Sequence, residues 1–564
     1  MNSDNIFTYA NYRFTYLDHG VKFTQIRSVR ASFCQAIGAL NEPYICYKEQ
    51  AAIGWSETYS QGEREKTGRR IVKNNKRILG VAVASALSAL VGAPATMAQE
   101  SARANPAVLE ELVVTAQRRS GDLQQVPIAV TALDQTAMER RQILSTEDVF
   151  TEVPGLIGSN NVGQNTAVTF FLRGIGTTES IVTVDPAVGV YVDDVYIARQ
   201  GVNNFALYDL ERIEVLRGPQ GTLYGRNSSA GAVRVITQEP SVEEFNGRIS
   251  GGFGNYGQQF GRLSLNVPVG DTLAVRVNAM KQENDGYSNG LVLGGDVNTT
   301  NFTGWRVSAL WQATEDLKFV LTVDDMEDDS DSVYPSNIRP LPIDPQFTGL
   351  FDVNSDTRQS NLGENSGWAL TATWNIGDNH VLKSITAGRE TIQVYNLDLS
   401  DVPTPIYELY TDNDSDQISQ EFNLSGSFAD SKFDYSAGLF YFDEESDSIL
   451  GNEFNLRIPV GDSFIIIPPL YFEQHLQTAS ESYAAYGEVT WNISNDLSVF
   501  FGGRYTTEEK TLGVQFYTGG APTDLSQFPI ANPIFIFDTS AVESFGTPSK
   551  IDFNEFTPRV GVNW

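Results

Sequence analysis

Side chains that could do chemistry are few in this sequence and poorly spaced for catalysis. His19, His380 and His475 lie far apart and share no metal-ligand spacing. Cys34 and Cys46 both stand in the N-terminal segment, so the rest of the chain can have neither a disulfide nor a thiolate site, and cysteine leaves the redox compartment open. The run Asp324, Asp325, Glu327, Asp328, Asp329 and Asp331 offers hard oxygen ligands suited to Ca²⁺; lacking the EF-hand spacing, it reads as a solvated loop tip with a Ca²⁺ site as the alternative. Gly252-Phe-Gly-Asn-Tyr-Gly257 satisfies G-x-G-x-x-G but joins two alternating strands and opens no helix, so it fails as a dinucleotide site. No G-x-S-x-G, Walker or H-E-x-x-H sequence occurs from residue 99 onward. The expectation is a protein that is not an enzyme and needs no metal or cofactor.

Charge narrows the partners. The net charge of −31 conceals an asymmetry: residues 1–98 carry 12 Lys+Arg against 7 Asp+Glu, leaving 27 and 63 in the remainder. An acidic body of that kind excludes nucleic acid, whose phosphates need a basic surface. At 564 residues, with 48 glycines and only 41% hydrophobic residues, the composition suits many strands with one apolar face each.

The elements that would position any site fall into blocks. Arg69, Arg70, Lys73, Lys76 and Arg77 precede an apolar stretch, Ile78 to Val91, and a small-residue segment ending at Ala98, the pattern of a secretory leader over 72–98. Thr96 and Ala98 fit the positions before a cut at Gln99, with Ala93 and Ala95 as the other pair. Residues 1–71 then read as an over-extended gene start, with a cytoplasmic signalling extension as the rival. A linker over 99–125 leads into an α+β domain over 126–240. There Pro127 to Ala132 predicts a strand, Asp134 to Arg141 a helix capped by Asp134, and Thr146 to Val153 a second helix stopped by Pro154-Gly155. Val168 to Leu172 and Val188 to Val192 predict strands.

From 241 to 564 alternation with period two takes over. Trp305, Val307, Ala309 and Trp311 share one face, as do Trp368, Leu370, Ala372 and Trp374, and Tyr483, Ala485, Gly487, Val489 and Trp491. Short turns at Gly270-Asp271, Thr314 to Asp316, Gly377 to Asn379, Ala429 to Ser431 and Ser494 to Asp496 alternate with long links such as Asp329 to Asn365 and Ser446 to Ala479. An apolar outside, a polar inside and links of alternating length predict an antiparallel transmembrane barrel. About twelve strands are expected.

One stretch carries a resemblance. Glu211 to Thr237 reads ERIEVLRGPQGTLYGRNSSAGAVRVIT, two strand-like runs around a Gly/Pro turn. With Arg173-Gly174, Val190-Tyr-Val-Asp-Asp194 and Gly231-Ala-Val, it resembles the plug domain of TonB-dependent outer-membrane receptors. Two positions depart from the usual pattern: Ala230-Gly231 replaces paired glycines, and Arg234 stands where a small amide is common.

The resemblance implies a plug followed by a barrel of roughly 22 strands, so this chain is expected to stop at about twelve of them. It implies localisation in the bacterial outer membrane, contact with its lipid, and energy-coupled uptake of a small-molecule ligand, by default a ferric siderophore, with cobalamin, haem, oligosaccharide or a passive porin as alternatives. Glu110, Glu111, Leu112, Val113, Val114, Thr115 and Ala116 resemble a TonB box, an extended strand that a periplasmic TonB complex would bind through main-chain hydrogen bonds; the other reading is the first plug strand. Plug arginines Arg173 and Arg217 are expected to pair with inward wall carboxylates Glu421 and Glu488, unless Arg217 merely holds its turn. Ligand is expected at the plug loops 158–166 and 176–183, with Tyr191, Tyr196 and the loop aromatics Tyr334, Phe347 and Tyr395 available for stacking.

Overall fold

The computed structural model describes residues 113–564, apart from 116, 120, 124–125, 142, 144, 205–207, 336–348, 404–405, 456, 461–462, 467–469, 495, 520–533 and 545. The extension, the leader, Glu110, Glu111, Leu112, Ala116 and Phe347 lie outside these residues.

The α+β domain is built on five strands: β1 (Ala129–Asp134), β2 (Val188–Val192), β3 (Val195–Ile197), β4 (Leu210–Arg217) and β5 (Gly231–Thr237), in the order β1-β4-β5-β2-β3. All neighbours are antiparallel except β5 and β2. Helix α1 (Gln135–Arg141) starts where expected, because Asp134 Oδ1 accepts the Ala137 N–H at 2.6 Å. The second predicted helix is only a 3₁₀ turn, Glu147–Thr151. Thr146 makes no side-chain cap, and Pro154 together with Gly155 at φ 79° ends the segment before a full α turn can propagate. Leu133, Met138, Val149, Phe170, Val190, Ile213 and Val233 close one core.

The second block is one large antiparallel sheet. Its strands are β6 (Asn246–Phe253), β7 (Gln259–Val269), β8 (Leu273–Asn284), β9 (Thr300–Gln312), β10 (Leu317–Ser330), β11 (Ser360–Ile376), β12 (His380–Asp398), β13 (Tyr407–Phe428), β14 (Phe433–Phe454), β15 (Leu470–Ser494), β16 (Leu497–Gly519), β17 (Ile534–Asp538) and β18 (Lys550–Asn563). β17 and β18 both pair with β16, at 515–518 and 498–511, so they are one strand position interrupted by helix α2 (Thr539–Ser544). Among the described residues the sheet thus has twelve positions, and β6 and β18 each pair on one side only.

Trp311, Leu321, Val323, Leu370, Trp374, Phe422, Leu439, Val489 and Trp491 are exposed on one face. Near the short turns Trp311 stacks on Phe319, and Phe433 lies between Phe428 and Trp491, an aromatic girdle at the edge of the apolar band. The other face carries buried polar residues, among them Ser308, Asn365, Glu421, Asn423, Ser436 and Glu488. The strands run further than the sequence pattern indicates. The expected link 446–479 shrinks to 455–469, and the acidic run from Asp324 is mostly strand, its members alternating between faces of β10. Apolar alternation stops where a strand leaves the band, but backbone pairing does not.

Candidate functional site: a latch between domain and wall

The β2–β3 hairpin turns on Asp193 and Asp194, with φ of 49° and 70°, the two left-handed residues that a tight hairpin requires. Asp193 faces β5, accepting the Thr237 N–H and Oγ1–H at 2.8 Å each. Asp194 is thereby aimed the other way, into a cluster of cations: Arg234 Nη2 at 2.6 Å, Lys383 Nζ at 3.0 Å and Arg118 Nη1 at 3.1 Å. Burial alone would raise its carboxyl, yet Lys383, Arg234 and Arg118 hold it well below the usual carboxylate range.

Arg234 stands directly across from Glu214 in the β4–β5 register and forms an ion pair with it. Fully buried Glu214 also takes the Arg212 Nε–H at 2.8 Å and the Thr115 backbone N–H at 2.9 Å. Thr115 Oγ1 in turn accepts from Arg234 Nη1 at 2.7 Å. The residue that departs from the usual pattern therefore ties the hairpin to the N-terminal segment beside the direct Arg118–Asp194 contact.

That segment is folded back on itself. Val113 and Val114 pair antiparallel with Asp122 and Gly121, and three successive side chains then reach three wall strands. Gln117 Nε2 donates to Glu488 Oε1 at 3.1 Å on β15, Arg118 Nη2 lies 3.3 Å from Glu421 Oε2 on β13, and Arg119 Nη1 lies 2.8 Å from Asp434 Oδ2 on β14. The Arg118 guanidinium also sits 4.6 Å over the Tyr224 ring. Burial disfavours its charge, but Glu421 and Asp194 hold its pKa well above the ordinary value.

The same complementarity continues round the domain. Arg199 meets Glu444 on β14 at 2.5 Å and Arg226 meets Glu508 on β16 at 3.6 Å. Towards the earlier strands the polarity reverses, with Asp209 on Arg276 of β8 at 2.5 Å and Asp194 on Lys383 of β12. Asp185 with Lys510 of β16 is an exception. Most of these pairs set plug arginines against carboxylates of the later strands and plug aspartates against cations of the earlier ones.

Glu421 and Glu488 point inward, but Arg173 and Arg217 are not their partners. Arg217 is three residues beyond Glu214 and so on the other face of β4. Arg173 is exposed in a turn at φ 54°, its N–H bonded to Gly155 O. Both line a cavity of about 290 Å³ with Pro127, Gly218 and Arg559, and it is Arg559 that takes Glu488, at 2.9 Å. Arg118 and Arg119, paired arginines two residues past the β-branched run Val113 to Thr115, are the signal that sequence reasoning missed.

The four tyrosines expected to stack on ligand are buried residues. Tyr191 is 2% exposed and donates to Tyr224 O; Tyr196 is 2% exposed, accepts from Asn227 Nδ2 at 2.6 Å and packs on Phe442; Tyr334 is 3% exposed and accepts the Gln359 N–H. Tyr191 and Tyr196 face each other across the hairpin, so its register buries both. Tyr395 is buried as well. Of the loops expected to meet ligand, 161–166 is tied to the wall: Gln393 Nε2 donates to Gln164 Oε1 at 2.9 Å and Thr166 Oγ1 to Asn361 Oδ1 at 3.1 Å. Thr178, Glu179 and Thr183 remain exposed.

Comparison with known proteins agrees with this geometry. Residues 122–232 match the family model TonB-dependent Receptor Plug Domain, and residues 319–564 match TonB dependent receptor-like, beta-barrel. The chain is 30% identical over 178 residues to the pesticin receptor of Yersinia pestis, and 30% identical over 171 residues to the vitamin B12 transporter BtuB of Vibrio vulnificus. These alignments take in 31% and 30% of this chain and 26% of each relative. In fold it is similar to the ferric yersiniabactin uptake receptor FyuA from Yersinia pestis, with a TM-score of 0.62, 18% identity, and coverage of 77% of this chain and 62% of that one. The siderophore receptor PiuA from Acinetobacter baumannii gives a TM-score of 0.59 at 15% identity, covering 78% and 63%.

Proposed function

The chain belongs to the TonB-dependent receptors of the outer membrane, and we propose that it serves energy-coupled uptake of a scarce, bulky ligand, by default a ferric siderophore. The observation that carries this reading is the path from the backbone of Thr115 through Glu214 and Arg234 to Asp194, and from Arg118 to Glu421. A partner that captures the segment from Glu110 by strand addition and pulls would load these buried ion pairs first. Their loss would free the hairpin Asp193-Asp194 and, with it, the strand pair that holds the domain in the wall. The partner is proposed to be a periplasmic TonB-type protein, and the part played by this chain is transport without chemical conversion of the ligand.

Ligand would meet the exposed turn around Thr178, Glu179 and Thr183. Siderophore receptors among the structural relatives favour an iron chelate, whereas the cobalamin transporter among the sequence relatives keeps a corrinoid as the second reading. Deleting Glu110 to Ala116 tests the coupling. Cells carrying the deletion should bind radiolabelled ferric siderophores or cyanocobalamin as the parent does and accumulate neither; unchanged accumulation would contradict it.

A further inference from the structure

Three carboxylates stand side by side where the wall strands project beyond the apolar band. Asp398 at the end of β12 lies directly across from Glu408 on β13, and Glu408 directly across from Glu453 on β14. They are 0%, 8% and 8% exposed. Asp398 is five residues beyond Gln393, which meets the plug, so alternation puts the carboxylates on the opposite, outer face. The segment 354–359 reaches two of them, through Gln359 to Asp398 and Thr357 to Glu408. Like charges directly opposite in an antiparallel pair are unfavourable, and buried ones need a counter-charge.

Among the described residues no Lys or Arg forms an ion pair with any of the three. Glu408 Oε1 takes the Thr357 hydroxyl at 2.6 Å, Glu453 Oε1 takes Asn455 Nδ2 at 3.1 Å, and Asp398 Oδ1 takes the Ser400 N–H at 2.9 Å. Arg358, the basic residue of the covering segment, is exposed. Two buried oxygens are left over. Asp398 Oδ2 has no hydrogen-bond partner, nor has Oε1 of Gln359, a side chain 1% exposed. Gln359 Nε2 donates to the Asp398 carbonyl at 3.1 Å, which fixes the amide orientation and holds Oε1 beside the same residue as an acceptor with nothing to accept. An aspartate oxygen and an amide oxygen, both dehydrated and both acceptors, are hard-cation ligands.

We propose that a divalent cation of the Ca²⁺ type binds between Asp398, Gln359 and Glu408 and clamps the 354–359 segment to the ends of β12 and β13. No three Asp, Glu, His or Cys side chains among the described residues form a ready-made metal centre. The coordination is therefore mixed, two carboxylates with an amide oxygen, completed by main-chain carbonyls or water. This site is separate from the acidic run on β10, where Asp324 is engaged by Arg389 at 2.5 Å. It does not depend on which ligand is transported.

Tb³⁺ added to the full chain in detergent provides the test, because Tyr334 hydrogen-bonds Gln359 and is placed to sensitise its luminescence. The expected result is a saturable signal displaced by Ca²⁺, with affinity lowered at least tenfold in both Asp398→Asn and Gln359→Met and unchanged in Asp325→Asn. Ca²⁺ should also slow proteolysis within 354–359. The Gln359 variant keeps every charge, so it remains informative if Asp398→Asn does not fold. No Ca²⁺-displaceable signal, an affinity in the Asp398 and Gln359 variants equal to the parent's, or protection that follows pH and ignores Ca²⁺ would each overturn the proposal; the last would mean that the carboxylates share protons instead.

Discussion

Arg118 Nη2 lies 3.3 Å from Glu421 Oε2, with both side chains 6% exposed, and it joins the segment that leads into the plug to a membrane-spanning strand. Glu421 holds a second contact, accepting the Tyr486 hydroxyl at 2.5 Å, so its carboxylate is fixed whether or not Arg118 is in place.

Removing the cation should therefore cost more than removing the pair. Arg118→Ala leaves Glu421 and Asp194 short of a partner in a buried site, and a loss of about 3–5 kcal/mol in plug seating is expected. Adding Glu421→Gln to that variant should restore part of it. Urea-induced plug release, followed by protease access to 113–122, measures both.

Glu214→Gln should detach the N-terminal segment while the sheet stays folded. The amide keeps a carbonyl for Thr115 but loses the charge that holds Arg212 and Arg234, so loosening by about 2–3 kcal/mol is expected. Exchange at the Thr115 amide should quicken, with the protection of β4 and β5 retained.

Acid should reach the latch late. The pKa of Asp194 is lower in the folded than in the unfolded chain, so its ionised form contributes stability at all pH values above the ordinary carboxylate pKa of about 3.9. That contribution is lost only as pH falls through the depressed folded value. The difference in urea midpoint between the parent and Asp194→Asn should stay constant from neutral pH to about 5 and shrink only as pH falls below the ordinary carboxylate range.

Tyr196→Phe separates core from ligand contact. The hydroxyl accepts from Asn227 at 2.6 Å in a site closed by Phe442, so the variant should lose about 1 kcal/mol of stability with ligand affinity unchanged. A fall in affinity at unchanged stability would return Tyr196 to the ligand surface.

Gly231→Ala should be worse than most single substitutions in the plug. Its Cβ would stand 2.1 Å from Leu216 O and 2.4 Å from Leu172 Cδ2, and the first of these is backbone in a paired strand that cannot step aside. A loss of about 1–3 kcal/mol or more is expected, read as a lowered thermal midpoint.

The fold was legible where local chemistry decides it. Asp134 announced a helix start, the alternation of Trp305 to Trp311 a wall strand, and Val188 to Val192 a plug strand; each is explained by backbone and burial within a few residues. Inward orientation of Glu421 and Glu488 followed from the same alternation. Their partners did not, because which arginine reaches a wall carboxylate depends on contacts more than 300 residues apart, as between Arg118 and Glu421. Tyr191 and Tyr196 misled for a related reason: an aromatic beside a turn looks available until the register across that turn packs Tyr191 against Tyr224 and Tyr196 against Phe442. Strand ends beyond the apolar band were invisible because the backbone pairing there continues without apolar alternation.

Amide hydrogen exchange of 113–122 in a double-mutant cycle of Arg118→Ala and Glu421→Ala tests the latch most directly. If Arg118 and Glu421 hold the segment as a unit, each single variant should accelerate exchange and the double should be no faster than the faster single. Exchange unchanged in both singles, or effects that simply add, would contradict it.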